Sequence, residues 1–432
     1  MIAPEPILRP RGTPLSVYHR IRALTELGHS VDLVTYPFGD AFELPGLKVH
    51  RAARPPGIRD VGIGPTIAKG FLDVPLFFLA WRLARTGRFD LLHTHEEAGV
   101  MGAFLSRRLG IPHVYDMHSS LPEQFANFAR FNWRPVVSVF KAVERYILNR
   151  SDGVIAICEE LRRTVLNQGC EGVVAMIENT LQFDSGEAHT PSATDLRRTL
   201  GIDDAPTIVY TGTLEPYQGM DLFVDAAPAI LDAVPAARFV VVGGTTAQVN
   251  DLRKHARRIG VESSFCLVGT VNPWEVRHYH EMADTLVTCR TRGTNTPLKL
   301  YHYLQAGRPI VATAIRSHTQ VLDAATAELV EPEPTSIARG VVRVLGDPDR
   351  ASALSDASRR AAADRYDEAS GIESLARFMD ELNRRRPGGV LRSGPPMTAH
   401  RRPAQPRRRT YTASRMRVVE GTVLRAAADG AR

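Results

Sequence analysis

Twice along this chain, short β-branched runs alternate with helix-length stretches that end in glycine. That order of elements leaves few folds open. Strands separated by helices must pair in parallel, with the helices covering both faces of the sheet. The first run opens with a strand at Met1-Ile2-Ala3, a loop to Thr13 and a helix from Pro14 to Leu27. Gly28 stands where a C-terminal cap belongs, and the strand Val31–Thr35 follows. Further strands are expected up to His93, over Ile111–Tyr115 and over Asp152–Ile157, with helices over Ala98–Leu109 and from Glu159. The second run starts with a strand at Thr207–Tyr210, a helix over Met220–Val234 and a buried strand Phe239–Val242 stopped by Gly243-Gly244. It continues in the same way to about Val330.

A chain of 432 residues exceeds one ordinary core. Two doubly wound domains are therefore expected, over residues 1–185 and 186–365. The polar stretch Asp184–Pro191 serves as linker. With 44% hydrophobic and 23% charged residues, the composition is that of a globular chain and excludes collagen-like, disordered and disulfide-rich classes. The basic balance is local. Residues 384–432 hold thirteen arginines against Glu420 and Asp429, and the remainder is slightly acidic. This Arg-, Pro- and Gly-rich tail is expected to be disordered. No clustered basic face stands out in the body, so no specific nucleic-acid partner is expected. The longest apolar run, Val74–Trp81, closes at Arg82 and is too short to span a membrane. No leader pattern opens the sequence, and a cytoplasmic protein is the expectation. Cys158, Cys170, Cys266 and Cys289 form no C-x-x-C pair, so neither a zinc site nor a redox dithiol is indicated.

Five strings carry a resemblance. They are Arg11-Gly12-Thr13-Pro14, Asp90-Leu-Leu-His-Thr-His95, Val114-Tyr-Asp-Met-His118, Tyr210-Thr-Gly-Thr-Leu-Glu-Pro-Tyr-Gln-Gly-Met-Asp221, and Thr296-Pro-Leu-Lys-Leu-Tyr-His-Tyr-Leu-Gln-Ala-Gly-Arg-Pro-Ile-Val-Ala-Thr313. Together they resemble the family 4 retaining glycosyltransferases of the group 1 type, over about residues 1–383. The resemblance implies a GT-B fold, in which two Rossmann-like domains face each other across a cleft. The first domain would hold the acceptor and the second the nucleotide-sugar donor. A last helix over residues 366–383 would cross back to the first domain. The implied reaction moves a sugar from a nucleoside-diphosphate donor, such as a UDP- or GDP-sugar, to a hydroxyl of a glycan or lipid-linked acceptor. Polysaccharide biosynthesis is the setting it suggests. Retention of configuration, by front-face attack, is likewise implied by the resemblance. Two other readings stand beside it: a non-catalytic GT-B protein that binds a sugar or a partner, and a nucleotide-sugar epimerase.

Ligands of doubly wound sheets bind at the carboxyl ends of strands, where a helix N-terminus offers N–H groups to phosphate. Gly12 sits at such a place, although the resemblance sets another glycine where this chain has Arg11. His118 follows a strand and is the candidate catalytic residue, able to orient a sugar hydroxyl. Asp116 and Glu123 are candidate acceptor contacts. Lys299 is expected in the first turn of a helix opening at Pro297 and capped by Thr296. With Arg290 and Arg292 it would hold the diphosphate and stabilise its charge as it leaves, without a metal. Gly212, Thr213, Gln218 and His302 complete the expected donor site, and Thr294, Asn295 and Thr296 the sugar contacts. At Thr213, Gln218, Thr294 and His302 the family pattern commonly has Arg, Lys, Glu and Glu, so four charged contacts are changed. Arg290 and Arg292 are the expected replacements for the lost cations. His93 and His95 flank a strand end with no third ligand near in sequence, so no metal is expected. Asp347-Pro-Asp349 reads as a helix cap. The segment Ile63–Arg85 is apolar with basic flanks. It suits either a core helix or one lying at the surface of the inner membrane.

Overall fold

A computed structural model describes residues 1–9, 12–40, 42–62, 66–128, 134–178 and 192–385. Arg11, the linker 184–191 and the tail from 386 on lie outside the described residues. Thirteen strands are present among them. In the first half these are β1 (Ile2–Ala3), β2 (Val31–Thr35), β3 (Leu47–Arg51), β4 (Leu92–His95), β5 (His113–Met117), β6 (Gly153–Ala156) and β7 (Val173–Met176). In the second they are β8 (Thr207–Thr211), β9 (Arg238–Val242), β10 (Phe265–Gly269), β11 (Thr285–Thr288), β12 (Ile310–Thr313) and β13 (Glu328–Val330).

Each set makes one parallel sheet, in the orders β3-β2-β1-β4-β5-β6-β7 and β10-β9-β8-β11-β12-β13. Short strands rich in Val, Ile and Leu, buried on both faces, are what a parallel sheet under helices requires. Most strands are buried along their whole length, β5, β6, β8, β11 and β12 among them. In both sheets the strand order reverses once, between β1 and β4 and between β8 and β11. Crossovers leave these points in opposite directions, so no helix covers the carboxyl ends there.

Several boundaries differ from the expected ones. The first helix is Gly12–Glu26, so Gly12 opens the helix instead of lying in the loop before it. β4 runs to His95, which puts His93 and His95 inside the strand and buries both. The helix after β11 starts at Lys299, and Leu298 in front of it makes no side-chain cap. Thr296 is not the cap, and its buried Oγ1 has no hydrogen-bond partner. Asp347 does cap its helix, accepting from the Arg350 N–H at 3.0 Å.

The last described helix, Glu368–Arg384, lies on the first sheet. Its buried residues Leu375, Phe378, Met379 and Leu382 share a core with Ala3, Ile21, Val114 and Ile155. Gly153 in β6 makes room for it, since a Cβ there would stand 2.7 Å from the Phe378 ring. Phe378→Ala is expected to cost about 3–5 kcal/mol, the usual loss for a buried phenylalanine. Denaturant unfolding of the two proteins checks this.

Candidate functional site

A cavity of about 720 Å³ lies between the two halves. It is bordered by the loops that leave β1, β4, β8 and β11, the strands on either side of the two reversals.

The wall from the second half is cationic. Lys299, the first residue of the helix Lys299–Ala306, holds its Nζ 3.9 Å from the centre of the Tyr210 ring. The ammonium donates to Gln218 Oε1 at 3.2 Å. Burial, then the neighbouring Arg290, hold its pKa well below the usual lysine range. Gly212, at φ +139°, keeps this space open, because a Cβ there would meet Lys299 Nζ at 2.8 Å. The Gly212 N–H is engaged with Val242 O at 2.9 Å, so this residue provides room and not a phosphate donor. Arg290, just past β11, is buried. Its guanidinium donates to Arg292 O at 2.8 Å, Asn295 O at 3.0 Å and Asn295 Oδ1 at 2.9 Å, and lies 5.2 Å from the Tyr217 ring centre. Burial lowers its pKa as well. Neither cation has an ion-pair partner among the described residues. A buried cation without an ion-pair partner is costly, so an anion in the cavity would be stabilised at this wall.

The other expected donor residues divide. Gln218 is buried between Lys299 and Thr213, with Thr213 Oγ1 accepting from its amide at 3.5 Å. His302 lines the cavity, and burial holds it neutral. Beside it His280, absent from the sequence reading, is pushed down to about 3 by burial and Lys299, and contacts Thr211 Oγ1 at 2.9 Å. Arg292 corrects the expectation: its side chain is exposed and does not line the cavity. It contributes only the carbonyl that anchors Arg290.

The wall from the first half is acidic and hydrogen-bonding. Gly12 borders the cavity at the start of its helix. Glu96, directly after β4, sits at φ +50°, a conformation that L-residues other than glycine rarely adopt. Its buried carboxyl accepts from Thr13 Oγ1 at 3.4 Å and Ser119 Oγ at 3.2 Å, and from Gln124. Burial, then Glu97 and Glu5, push its pKa up to about 8. Lys69 reaches the same wall and pairs with Glu97 at 3.0 Å and Glu5 at 3.4 Å. Burial works against its charge, but these carboxylates outweigh it and raise the pKa. Glu96 and Glu5 were not singled out in the sequence, and Lys69 only as a basic flank of the apolar segment 63–85. They stand far apart in it, and only the Glu96 position after His95 hinted at a strand end.

His118 lines the cavity but is almost wholly buried. Its Nε2 lies 2.9 Å from His95 Nδ1 and 3.6 Å from Asp116 Oδ1. Burial outweighs Asp116 and pushes its pKa down to about 4, so the ring is neutral at neutral pH. Asp116 corrects another expectation. It is fully buried, absent from the cavity wall, and ion-paired with Arg20 at 2.8 Å. Arg20 and the histidines hold its carboxyl well below the usual range although burial opposes them. In this structure it does not reach the cavity, and it anchors the histidine cluster. The fold also gives His93 and His95 the third neighbour that the sequence did not show, with donor atoms of the two rings and Asp116 within 4.8 Å of one another. Arg20 already supplies that carboxylate with a cation.

Contacts at Thr294 and Asn295 join the walls. Glu123 Oε1 accepts from the Thr294 N–H at 2.7 Å, and Glu123 Oε2 from the Thr294 hydroxyl. Asn295 Nδ2 donates to His118 O at 3.3 Å. Glu123 and Thr294 are thus brought together, each being the other's partner. A carboxylate from the opposite half thus stands beside Thr294.

Glu96 makes stability pH-dependent with a definite sign. Between about 4.5 and 8 the folded state keeps a proton that the unfolded chain has released, so stability falls as pH rises through that window. Above it both states are ionised and the dependence ends. Glu96→Gln should flatten the decline, which melting temperatures from pH 5 to pH 9, on the order of one unit apart, would reveal.

Residues 10–182 match the family described as Glycosyltransferase Family 4, and residues 205–347 match glycosyl transferases group 1. Alpha-monoglucosyldiacylglycerol synthase of Streptococcus pneumoniae is 24% identical over 242 residues, covering 55% of this chain and 54% of that protein. GDP-mannose-dependent alpha-(1-6)-phosphatidylinositol monomannoside mannosyltransferase of Mycolicibacterium smegmatis is 30% identical over 179 residues, covering 40% and 47%. The chain spans about half the length of these two relatives. Among solved structures, HepE of Anabaena in complex with UDP and glucose superposes with a TM-score of 0.69 at 17% identity, over 88% of this chain and 98% of that one. That likeness carries the fold, two parallel sheets in the GT-B arrangement. Two matched stretches that between them take in both sheets, and the fold itself, place this chain in the family 4 glycosyltransferases of the group 1 type.

Proposed function

We propose that the protein is a retaining glycosyltransferase that carries a sugar from a nucleoside-diphosphate donor to a hydroxyl of a glycan or lipid-linked acceptor without a metal. One observation carries this reading. Arg290, just past β11, and Lys299, at the start of the helix Lys299–Ala306, are cations on the cavity wall with no ion-pair partner among the described residues. A diphosphate supplies the missing charge. Binding it would also offset the burial that lowers the lysine's basicity and favour its protonated form. As the bond from the anomeric carbon to phosphate breaks, its electron pair goes to the diphosphate, where both cations stabilise it. The acceptor oxygen bonds the anomeric carbon on the same face, and its proton passes to the departing phosphate oxygen.

The opposite wall suits the acceptor. Glu96, Glu5 and Lys69 offer fixed polar groups to hydroxyls, and neutral His118 borders the place where the sugar would lie. Glu123 supplies the carboxylate beside Thr294. The names of the relatives support such chemistry, since each is a sugar-transferring enzyme or synthase. A cytoplasmic site of action fits a soluble nucleotide donor. Among the described residues no helix is long and apolar enough to cross a membrane.

Calorimetry with UDP and GDP tests the reading. One of the two should bind the parent protein. Lys299→Ala and Arg290→Ala should each weaken that binding by about 10- to 100-fold, the loss of a hydrogen bond to a charged group. Arg292→Ala should bind as the parent does. Absence of binding by any nucleoside diphosphate or its sugar would favour a non-catalytic sugar binder, for which the changes at Thr213, Gln218, Thr294 and His302 would account.

A further inference from the structure

The helix Ile67–Thr86 turns one side to the core and another to solvent. Leu72, Leu76, Ala80 and Ala84 are buried. Ile67, Phe71, Val74 and Phe78, spaced by four, three and four residues, are 84%, 62%, 55% and 64% exposed. They form a stripe along one face. The neighbouring helix Ala98–Leu109 widens it with exposed Val100 and Phe104. The Phe104 ring contacts Phe77 and Trp81, with centroids 5.8 and 5.6 Å apart, so the two helices present one apolar patch. A patch of this kind on a soluble chain marks an interaction surface.

The charge around it is of one sign. Arg82 and Arg85 continue the stripe by one and two turns, and both are exposed. Arg85 lies over the Trp81 ring at 5.9 Å and Arg108 over the Phe104 ring at 5.8 Å, each guanidinium at the edge of the apolar surface. The two helices carry one acid, Asp73, and it is turned to Tyr36, whose hydroxyl donates to it at 2.7 Å. An apolar stripe with arginines at its rim and no outward carboxylate fits a bilayer surface with anionic headgroups.

The stripe also has a position. Lys69, between Ile67 and Phe71 in the first turns of the helix, lines the acceptor wall of the cavity. The apolar face therefore begins at the mouth of the site. We infer that this face docks on an anionic phospholipid bilayer and that the acceptor reaches the cavity from it as a lipid-linked hydroxyl. The docking stands on the surface alone, while the acceptor class rests on the proposed function.

Sedimentation of the full chain with vesicles tests it, using phosphatidylcholine alone and phosphatidylcholine mixed with phosphatidylglycerol. The parent should sediment with the mixed vesicles and be released by high salt. Phe71→Ser with Phe78→Ser should reduce binding at least about tenfold. Arg82→Glu with Arg85→Glu should reduce it on the order of twentyfold or more, about fivefold for each arginine lost from an anionic surface. Both pairs are exposed, and circular dichroism and melting temperature verify that they fold. Variants that bind vesicles like the parent would overturn the inference and assign any binding to the arginine-rich tail. A parent that ignores vesicles and elutes as a dimer, with Phe71→Ser/Phe78→Ser eluting as a monomer, would overturn it in favour of a second copy on this face. Nucleotide calorimetry on the same samples separates the two readings: vesicle binding without nucleotide binding leaves the docking intact and fails the donor site. For the acceptor class, a sugar acceptor in the vesicles should be used by the parent and lost to the stripe variants, while use of a water-soluble acceptor persists. Equal loss of both would overturn the lipid route.

Discussion

A parallel sheet whose strand order reverses leaves two strand ends without a covering helix, because the crossovers on either side leave in opposite directions. In this protein that happens once in each sheet, at β1/β4 and at β8/β11. The residues just past those four strands are Glu5, Glu96, Gly212 and Arg290, and all four border the cavity. The location of the site is thus a consequence of topology. The helix Glu368–Arg384, packed on the first sheet through Phe378, ties the end of the described chain back to its beginning.

The two walls have opposite electrostatic problems. On one, Lys299 and Arg290 are desolvated with hydrogen-bonding partners but, among the described residues, no ion-pair partner, so both are less basic than in water. On the other, Glu96 and Glu97 crowd together with Glu5, and among the described residues Lys69 offsets them, while burial and the neighbouring carboxylates push the Glu96 pKa up to about 8. The two halves meet at the cavity through Glu123 with Thr294 and His118 with Asn295, and also through Glu160 with Gln320 and Arg316 and Glu178 with Tyr301. The first two contacts hold the histidine loop and the cationic loop at the same cavity. Behind them Arg20 and Asp116 set the histidine cluster without reaching the cavity wall.

Some readings stayed open for a physical reason. The segment around residues 67–86 is apolar on nearly every side, so its periodicity names no buried face. A core helix and a surface helix have the same sequence signature there. Packing decided the matter by burying the Leu72–Leu76 side and leaving the Phe71–Phe78 side in solvent. Arg292 illustrates the same point in miniature. Two residues from Arg290 it has the same chemistry, yet one guanidinium points into the protein and the other into water.

Local patterns determined the alternation of elements, the parallel class, the Asp347 cap and the cationic loop at 290–299, because each depends on neighbours within a few residues. The five strings that resemble the family were legible for the same reason. Only the tertiary structure decided that Asp116 belongs to Arg20, that Glu123 belongs to Thr294, and that Glu96 is a buried acid in a strained backbone on the cavity wall of the first half. Burial, ion pairing and the direction of a side chain are set by segments far apart in sequence, 96 residues for Arg20 with Asp116 and 171 for Glu123 with Thr294. They appear when the sheets bring those segments together.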